Sequence, residues 1–184
     1  MITVKEAVQA AAETLGLGEK VNAYLNGETS EGQAETEHLT RCFSVVENEL
    51  ALDYFPLTAE ETLQTDTGAV YFSEFSKSIV RVLKVTDEWG NNVPFKLYPE
   101  YLKAQSGQLT VTYSYVPLEK DIDGVSDFTL FVCVRHFAYG MAAEYALSLG
   151  LFEEAAVYSK KYKDAIAATY RLSPSKKIRA RRWV

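Results

Sequence analysis

Two histidine–cysteine pairs are the residues of this chain whose types and spacing could support chemistry. His38 and Cys42 are four residues apart on one predicted helix, and Cys133 and His136 are three apart on another. If the pairs faced each other, they would supply the tetrahedral ligands of a Cys2His2 zinc site. The short loops that usually hold such ligands are missing from the sequence, and both cysteines have apolar neighbours. Two free thiols buried in the core are therefore the competing interpretation.

The same pairs could also form a Cys–His nucleophile, which would make the chain an enzyme. Neither a third group that would orient the histidine nor a glycine-rich turn accompanies either pair in the sequence. The nucleophile is therefore less favoured than the zinc site, and both are less favoured than two core cysteines, so we expect no catalytic residue, metal ligand or cofactor.

Size and composition predict a single globular domain over residues 1–184. At 184 residues and 47% hydrophobic content, the chain can bury a core without disulfides or metals. It contains no run of eighteen apolar residues, and its start, "MITVKEAVQAAAETLG", lacks the basic and apolar blocks of a signal peptide. We expect a soluble protein with no membrane partner, located by default in the cytoplasm.

Charge is unevenly distributed along the chain. The sequence has 19 Lys and Arg against 25 Asp and Glu, and its last nine residues hold five of the cations and no acid. That leaves 14 cations against 25 acids in the remainder, so the body carries about −11 and the end about +5. Such an acidic body would repel a DNA backbone.

The order of elements predicts an α+β fold. Thr3 and Glu6 have the spacing of a helix-capping box, Gly16 and Gly18 should end that helix, and a second amphipathic helix runs from Leu39 to Tyr54 before Pro56. From Thr58 to about Lys120, alternating β-branched and aromatic residues predict four to six strands in antiparallel hairpins, with "PEYLK" as a brief helical turn.

Helical periodicity then returns. Ser126 and Asp127 could cap a helix that ends at Gly150 and is apolar on most sides, which predicts the buried centre of the domain. A second helix, "FEEAAVYSKKYKDAIAATYRL", follows directly. Together they resemble one tetratricopeptide hairpin, but no second copy occurs at the repeat spacing, so two simply packed helices are the preferred interpretation.

The basic C-terminal segment is the candidate partner-binding site. It follows Pro174, which should stop the preceding helix. The segment could bind the phosphates of nucleic acid. It could instead dock to a protein, with its arginines paired to carboxylates and its tryptophan in an apolar pocket. The third possibility is a solvated terminus without a partner. The candidate residues are Lys176, Lys177, Arg179, Arg181, Arg182 and Trp183.

The layout as a whole resembles a known family. Two N-terminal helices, a β insertion ending in "GQLTVTYSYVP", a later helix with "AAEYAL" and the final "RARRW" are similar to the head-tail adaptor (connector) proteins of tailed bacteriophages and prophages. The resemblance covers nearly the whole chain. It implies a non-enzymatic ring, commonly a dodecamer, that sits under the portal protein and extends the DNA channel. Double-stranded DNA would pass through it without specific binding.

The same resemblance implies the partners and the site. The C-terminal segment would engage the portal protein, and the β insertion would contact neighbouring copies, the tail or a stopper (head-completion) protein. The expected location is the neck of the virion, after assembly in the host cytoplasm. The alternative is a cellular, tetratricopeptide-like scaffold that binds peptides and carries a basic tail.

The predicted architecture can be stated with boundaries. It is a helical bundle formed by the N- and C-terminal helices (1–57 and 125–172), with an inserted antiparallel β subdomain (58–124) and an extended C-terminal arm (173–184).

Overall fold

The computed structural model describes residues 1–172, and in it the chain forms two units, one of which is an insertion in the sequence of the other. The first unit comprises Met1–Phe43 together with the chain from Asp121 onward, and the second comprises Ser44–Lys120. Helices dominate the first and antiparallel sheets the second, so the predicted α+β fold is confirmed. The predicted C-terminal arm lies outside the described residues.

Five α-helices lie within residues 1–172, and an additional turn of wider π-helix, Leu50–Tyr54, extends the third. None of the five is both long enough and apolar enough to cross a membrane. The helices are α1 (Val4–Leu15), α2 (Gly18–Leu25), α3 (Gln33–Glu49), α4 (Val134–Ser148) and α5 (Phe152–Leu172).

The first helix begins as the sequence predicts. The Thr3 hydroxyl accepts the backbone N–H of Glu6 at 3.1 Å, and the Glu6 carboxylate accepts the backbone N–H of Thr3 at 3.0 Å. Gly16 ends the helix in the left-handed conformation, with φ of 75°. Gly18, which was expected to help end α1, instead begins the short helix α2, which the sequence analysis missed.

The fourth helix begins later than predicted. The Ser126–Asp127 cap is wrong, because α4 starts at Val134. The backbone of the preceding segment is engaged elsewhere: Ser126 donates its N–H to the carbonyl of Ile2, and Val125 bridges Thr3. A left-handed Phe131, with φ of 66°, then breaks any helical continuation. Nine residues of α4 are nevertheless buried, which confirms that this helix is the centre of its unit.

Aromatic stacking lies at the core of the helical unit. Phe137 of α4 and Phe43 of α3 are both fully buried, and their rings stack with centroids 4.5 Å apart and planes 14° apart. Helix α4 also packs against α1 and α5. The large apolar residues of α4 therefore supply contacts that hold α1, α3 and α5, while α2 packs against α1.

The second unit contains six strands in two three-stranded sheets with the orders β1-β6-β3 and β2-β5-β4. All pairs are antiparallel, as predicted. The strands are β1 (Leu57–Thr65), β2 (Ala69–Tyr71), β3 (Ser78–Thr86), β4 (Lys96–Leu97), β5 (Tyr101–Lys103) and β6 (Gly107–Val116).

Strand connectivity differs from the predicted series of hairpins. Within residues 44–120 only β4 and β5 are consecutive strands that pair with each other, whereas β1 pairs with β6 along its whole length. The "PEYLK" turn is also wrong as a helical turn, since its last three residues form β5. The sheets enclose a core formed by Val70, Phe75, Val82, Val85, Val93, Leu102, Leu109, Val111, Tyr113 and Tyr115.

A buried ion pair ties together the two segments by which the chain enters and leaves the β unit. The Lys120 ammonium lies 2.6 Å from the Glu47 carboxylate, and their side chains are 13% and 1% exposed. Glu47 belongs to the last part of α3, and Lys120 follows β6. The pair therefore links residues 73 positions apart in a poorly hydrated environment.

Candidate functional site

The two histidine–cysteine pairs do not meet in a metal site. Within residues 1–172, no group of three or more His, Cys, Asp or Glu side chains lies close enough to hold a metal ion. His38 contacts the Ser148 hydroxyl through Nε2 at 3.0 Å and packs against the ring of Tyr145. The facing arrangement that a Cys2His2 site requires is therefore not formed by these residues.

Cys133 and His136 form a capping box at the start of α4. The backbone N–H of Cys133 donates to Nδ1 of His136 at 3.0 Å, so Nε2 carries the ring proton and faces the Thr169 hydroxyl at 3.0 Å. That hydroxyl donates to the carbonyl of Ala165 at 3.3 Å. Burial holds the pKa of His136 below its ordinary value, which favours the neutral ring. The histidine thus occupies the position at which a capping box usually has Glu or Gln.

This geometry weakens the nucleophile hypothesis. The Cys133 thiol lies 3.2 Å from Nδ1 of His136, but that nitrogen already accepts a backbone N–H. Its single lone pair is therefore engaged and poorly placed to take the thiol proton. Thr169 does orient the imidazole, a relationship that the sequence did not reveal because 33 residues separate the two.

The prediction of two core cysteines is half confirmed. Cys42 is buried, and that burial raises the pKa of its thiol to about 11, with a smaller contribution from Glu144. Cys133 is exposed, so its assignment to the core is wrong. The physical reason is the later start of α4, which places Cys133 at the helix cap and not inside a buried helical stripe.

The residues predicted to bind a partner, Lys176, Lys177, Arg179, Arg181, Arg182 and Trp183, lie outside the described residues. Helix α5 leads toward this segment and ends at Leu172. The assignment of the segment as a docking arm therefore remains a prediction. By contrast, α4 and α5 form the predicted pair of packed helices, joined at Gly150, whose φ of 75° suits a tight turn.

The outer face of the β2-β5-β4 sheet is a surface that the sequence analysis missed. Tyr71 lies opposite Tyr101, and Lys103 lies opposite Lys96, while the intervening Leu102 is fully buried. Since successive side chains of a strand alternate between faces, the two tyrosines and two lysines share the outer face. We call this surface the Tyr–Lys face, and it also includes Tyr98, whose ring stacks on that of Tyr101.

A rigid turn between β3 and β4 presents an exposed tryptophan. One carboxylate oxygen of Asp87 accepts the backbone N–H groups of Trp89 and Asn91, at 3.0 and 2.8 Å. The other oxygen accepts the Asn91 side-chain amide at 3.1 Å. Trp89 is 77% exposed at this turn. A large aromatic side chain on a fixed backbone has the character of an interface anchor.

A carboxylate holds the loop after β2 against the β1-β6-β3 sheet by hydrogen bonds. The carboxylate of Glu61, on β1, accepts hydrogen bonds from the backbone N–H of Ser76 at 3.1 Å and from the Ser76 hydroxyl at 2.6 Å. It also accepts a hydrogen bond from the phenol hydroxyl of Tyr113. Partial burial favours the neutral acid, but the hydrogen bonds outweigh it and hold the pKa of Glu61 below its ordinary value. Burial, followed by the bond to Glu61, raises the pKa of Tyr113.

Replacing Glu61 by glutamine should destabilise the β unit by about 1 kcal/mol at neutral pH, because partly exposed, charge-assisted hydrogen bonds are lost. A lowered folded-state pKa gives stability that is complete above the ordinary value of 4.5 and is lost as pH falls through the folded value. Urea unfolding monitored by tyrosine fluorescence should therefore show the gap between Glu61→Gln and wild type closing in acid.

The matched control for this pH dependence is Glu100→Gln, in the exposed turn before β5, which should leave stability within about 0.5 kcal/mol. A gap between Glu61→Gln and wild type that is equal at neutral and acidic pH would contradict the role assigned to the carboxylate.

No protein-family model matches this chain, and no curated protein sequence matches it significantly. The resemblance to head-tail adaptors therefore stays a prediction from the sequence.

Proposed function

We propose that this chain is a virion structural protein, a head-tail adaptor that forms a ring under the portal protein, extends the DNA channel and joins the head to the tail. The observation that carries the proposal is the order of its parts. A helical unit formed by both ends of the described chain brackets an antiparallel β unit, and the basic segment follows the last helix. This is the layout of the family that the sequence resembles.

Charge distribution supports the same proposal. A body with 14 cations and 25 acids would keep DNA from adhering to a channel that it must traverse in both directions. The final nine residues have the opposite sign. On this proposal, Arg179, Arg181 and Arg182 pair with carboxylates of the portal and Trp183 fills an apolar pocket. Repetition around a ring would supply avidity that a single short segment lacks.

The β unit would serve the other contacts of the adaptor. Trp89 is held on a hydrogen-bonded turn and is largely exposed, which suits an anchor for the tail or a stopper protein. Its position on the β unit separates it in sequence from the proposed portal-binding segment. The two partners would therefore use different parts of the chain.

Truncation after Leu172 tests the portal-binding role. The shortened chain should keep its fold, because the five described helices and both sheets remain, but should bind the portal at least about tenfold more weakly. The measurement is co-sedimentation with a purified portal protein from the same source genome, with circular dichroism to check folding.

Trp89→Ser is the matched control, since it removes an exposed aromatic side chain but keeps the basic segment. It should bind the portal like wild type. Undiminished binding by the truncated chain would remove the docking role. Independently, quantitative mass spectrometry of complete virions should find this chain at a low, fixed copy number relative to the capsid protein, and its absence would refute the adaptor proposal.

A further inference from the structure

We infer that the Tyr–Lys face docks the acidic segment between α2 and α3 of a second copy of this chain. The occupant is the stretch that carries Glu28 and Glu31. This inference deepens the proposed function, on which it rests for the ring geometry, by naming the surface through which neighbouring copies would touch. It is carried by the geometry of the face, by two lysines that form no ion pair within residues 1–172 and by the charge of the chain.

The tyrosines of this face are exposed yet held in place. Tyr71 and Tyr98 are 47% and 41% exposed. The ring of Tyr98 stacks on that of Tyr101 with centroids 4.7 Å apart and planes 14° apart, and Tyr71 lies 5.6 Å from Tyr101 on the other side. Because the rings already support one another, little side-chain freedom remains to be lost when a partner covers them.

The two lysines of this face, Lys96 and Lys103, carry positive charges that no carboxylate of the described residues pairs with. Lys96 and Lys103 are directly opposite each other on neighbouring strands, and both are exposed. Within residues 1–172 neither forms an ion pair. Like charges in a direct cross-strand pair are unfavourable, so this arrangement is relieved by a ligand that brings carboxylates. The face therefore fits a partner that is acidic and also offers surface for three aromatic rings.

The chain itself contains an acidic segment, free of Lys and Arg, that suits such a face. Residues 28–37 contain four glutamates and no Lys or Arg. Glu35 is engaged by Lys20 at 2.6 Å, and Glu31 adds a weaker attraction to the same ammonium. Glu28 and Glu31 are exposed in the connection that leads into α3, and neither forms an ion pair within the described residues. These two carboxylates match the two lysines in number and sign.

A protein partner fits better than nucleic acid. Aromatic rings beside lysines could stack on bases, but the face as defined has two cations, while residues 1–175 as a whole carry about −11. That net charge opposes the continuous row of charges on a phosphate backbone more strongly than it opposes the two carboxylates of Glu28 and Glu31. Two different patches would meet, so the contact is heterologous and its repetition gives a ring or a filament.

The test is the self-association of the full chain, measured without portal protein by sedimentation velocity up to about 100 μM, where contacts with micromolar Kd are populated. Wild type should associate, and less so as NaCl rises from about 0.05 to about 0.5 M. K96E/K103E and E28K/E31K should each weaken self-association by about tenfold or more. Mixing the two variants should restore association between them, since the charges are then exchanged.

The control is K84E/K163E, which changes net charge by the same amount at two exposed lysines elsewhere and should associate like wild type. A wild-type chain that stays monomeric, or charge-swapped variants that do not recombine, would overturn the inference. Tight binding of oligothymidylate that K96E/K103E abolishes would overturn it in favour of nucleic acid. None of these outcomes depends on portal binding or on the content of virions, so this inference and the proposed function can fail separately.

Discussion

Replacing Phe137 by alanine is expected to lower the free energy of unfolding of the helical unit by about 3–5 kcal/mol. Phe137 is fully buried on α4, and its ring stacks on the fully buried ring of Phe43. The substitution removes a large apolar side chain and leaves a cavity between helices that can relax only partly. Urea denaturation monitored by far-ultraviolet circular dichroism measures the change.

Val157→Ala is the matched control for the helical unit, because Val157 is an exposed apolar residue of α5. It should change the free energy of unfolding by no more than about 0.5 kcal/mol. A loss below about 1 kcal/mol for Phe137→Ala would mean that the stacked pair is not at the centre of the core. Phe137→Leu, which leaves a smaller cavity, should fall between the two.

Replacing Lys120 by methionine should destabilise the β unit by about 3 kcal/mol, because it removes an ammonium that lies 2.6 Å from the Glu47 carboxylate, whose side chain is 1% exposed. The methionine keeps most of the side-chain volume, so the loss reports charge and not packing. Denaturant unfolding monitored by tyrosine fluorescence measures the effect. The double variant Glu47→Gln with Lys120→Met should recover a large part of the loss, since the buried carboxylate is then neutralised together with the removal of the ammonium.

The ion pair between Arg41 and Glu37 provides the comparison for Lys120→Met. Its atoms are 3.9 Å apart, and both side chains are more than half exposed. Arg41→Met should therefore change stability by less than about 0.5 kcal/mol. If Lys120→Met and Arg41→Met had equal effects, the low hydration of the Glu47–Lys120 pair would not contribute to the stability of the unit.

Elements with local start and stop signals were predictable from sequence. The Thr3–Glu6 capping box and Gly16 set both ends of α1. Likewise, α5 spans the very residues proposed for it, because Gly150 ends the preceding helix and two acids occupy its own first turn. These signals act within one or two turns of backbone, so neighbouring residues suffice to specify them.

Elements whose backbone is engaged by distant residues were not predictable in the same way. The start of α4 is displaced because Ser126 bonds to the chain near Ile2. The pairing of β1 with β6 joins residues about fifty positions apart, and the sequence between them offered equally good local hairpins. A strand pattern shows which residues alternate between faces, but it does not show which strand lies alongside.

Whether a candidate site could be predicted likewise depends on how far apart in sequence its residues lie. The basic segment that ends in Trp183 was visible because its charge contrasts with the acidic body. The Tyr–Lys face was not visible, because it forms only when β2, β4 and β5 come together. Conversely, the Cys133–His136 pair had the spacing of a chemical site, but the structure places it at a helix cap.

By itself, the sequence determined the fold class, the ends of α1, the extent of α5, the antiparallel character of the β unit and the segregation of charge between body and C-terminus. Each of these depends on composition or on periodicity within a few residues. Only the tertiary structure decided the strand partners, the burial of the Glu47–Lys120 pair, the role of His136 and the existence of the Tyr–Lys face. These depend on contacts between segments far apart in sequence, which local propensity does not encode.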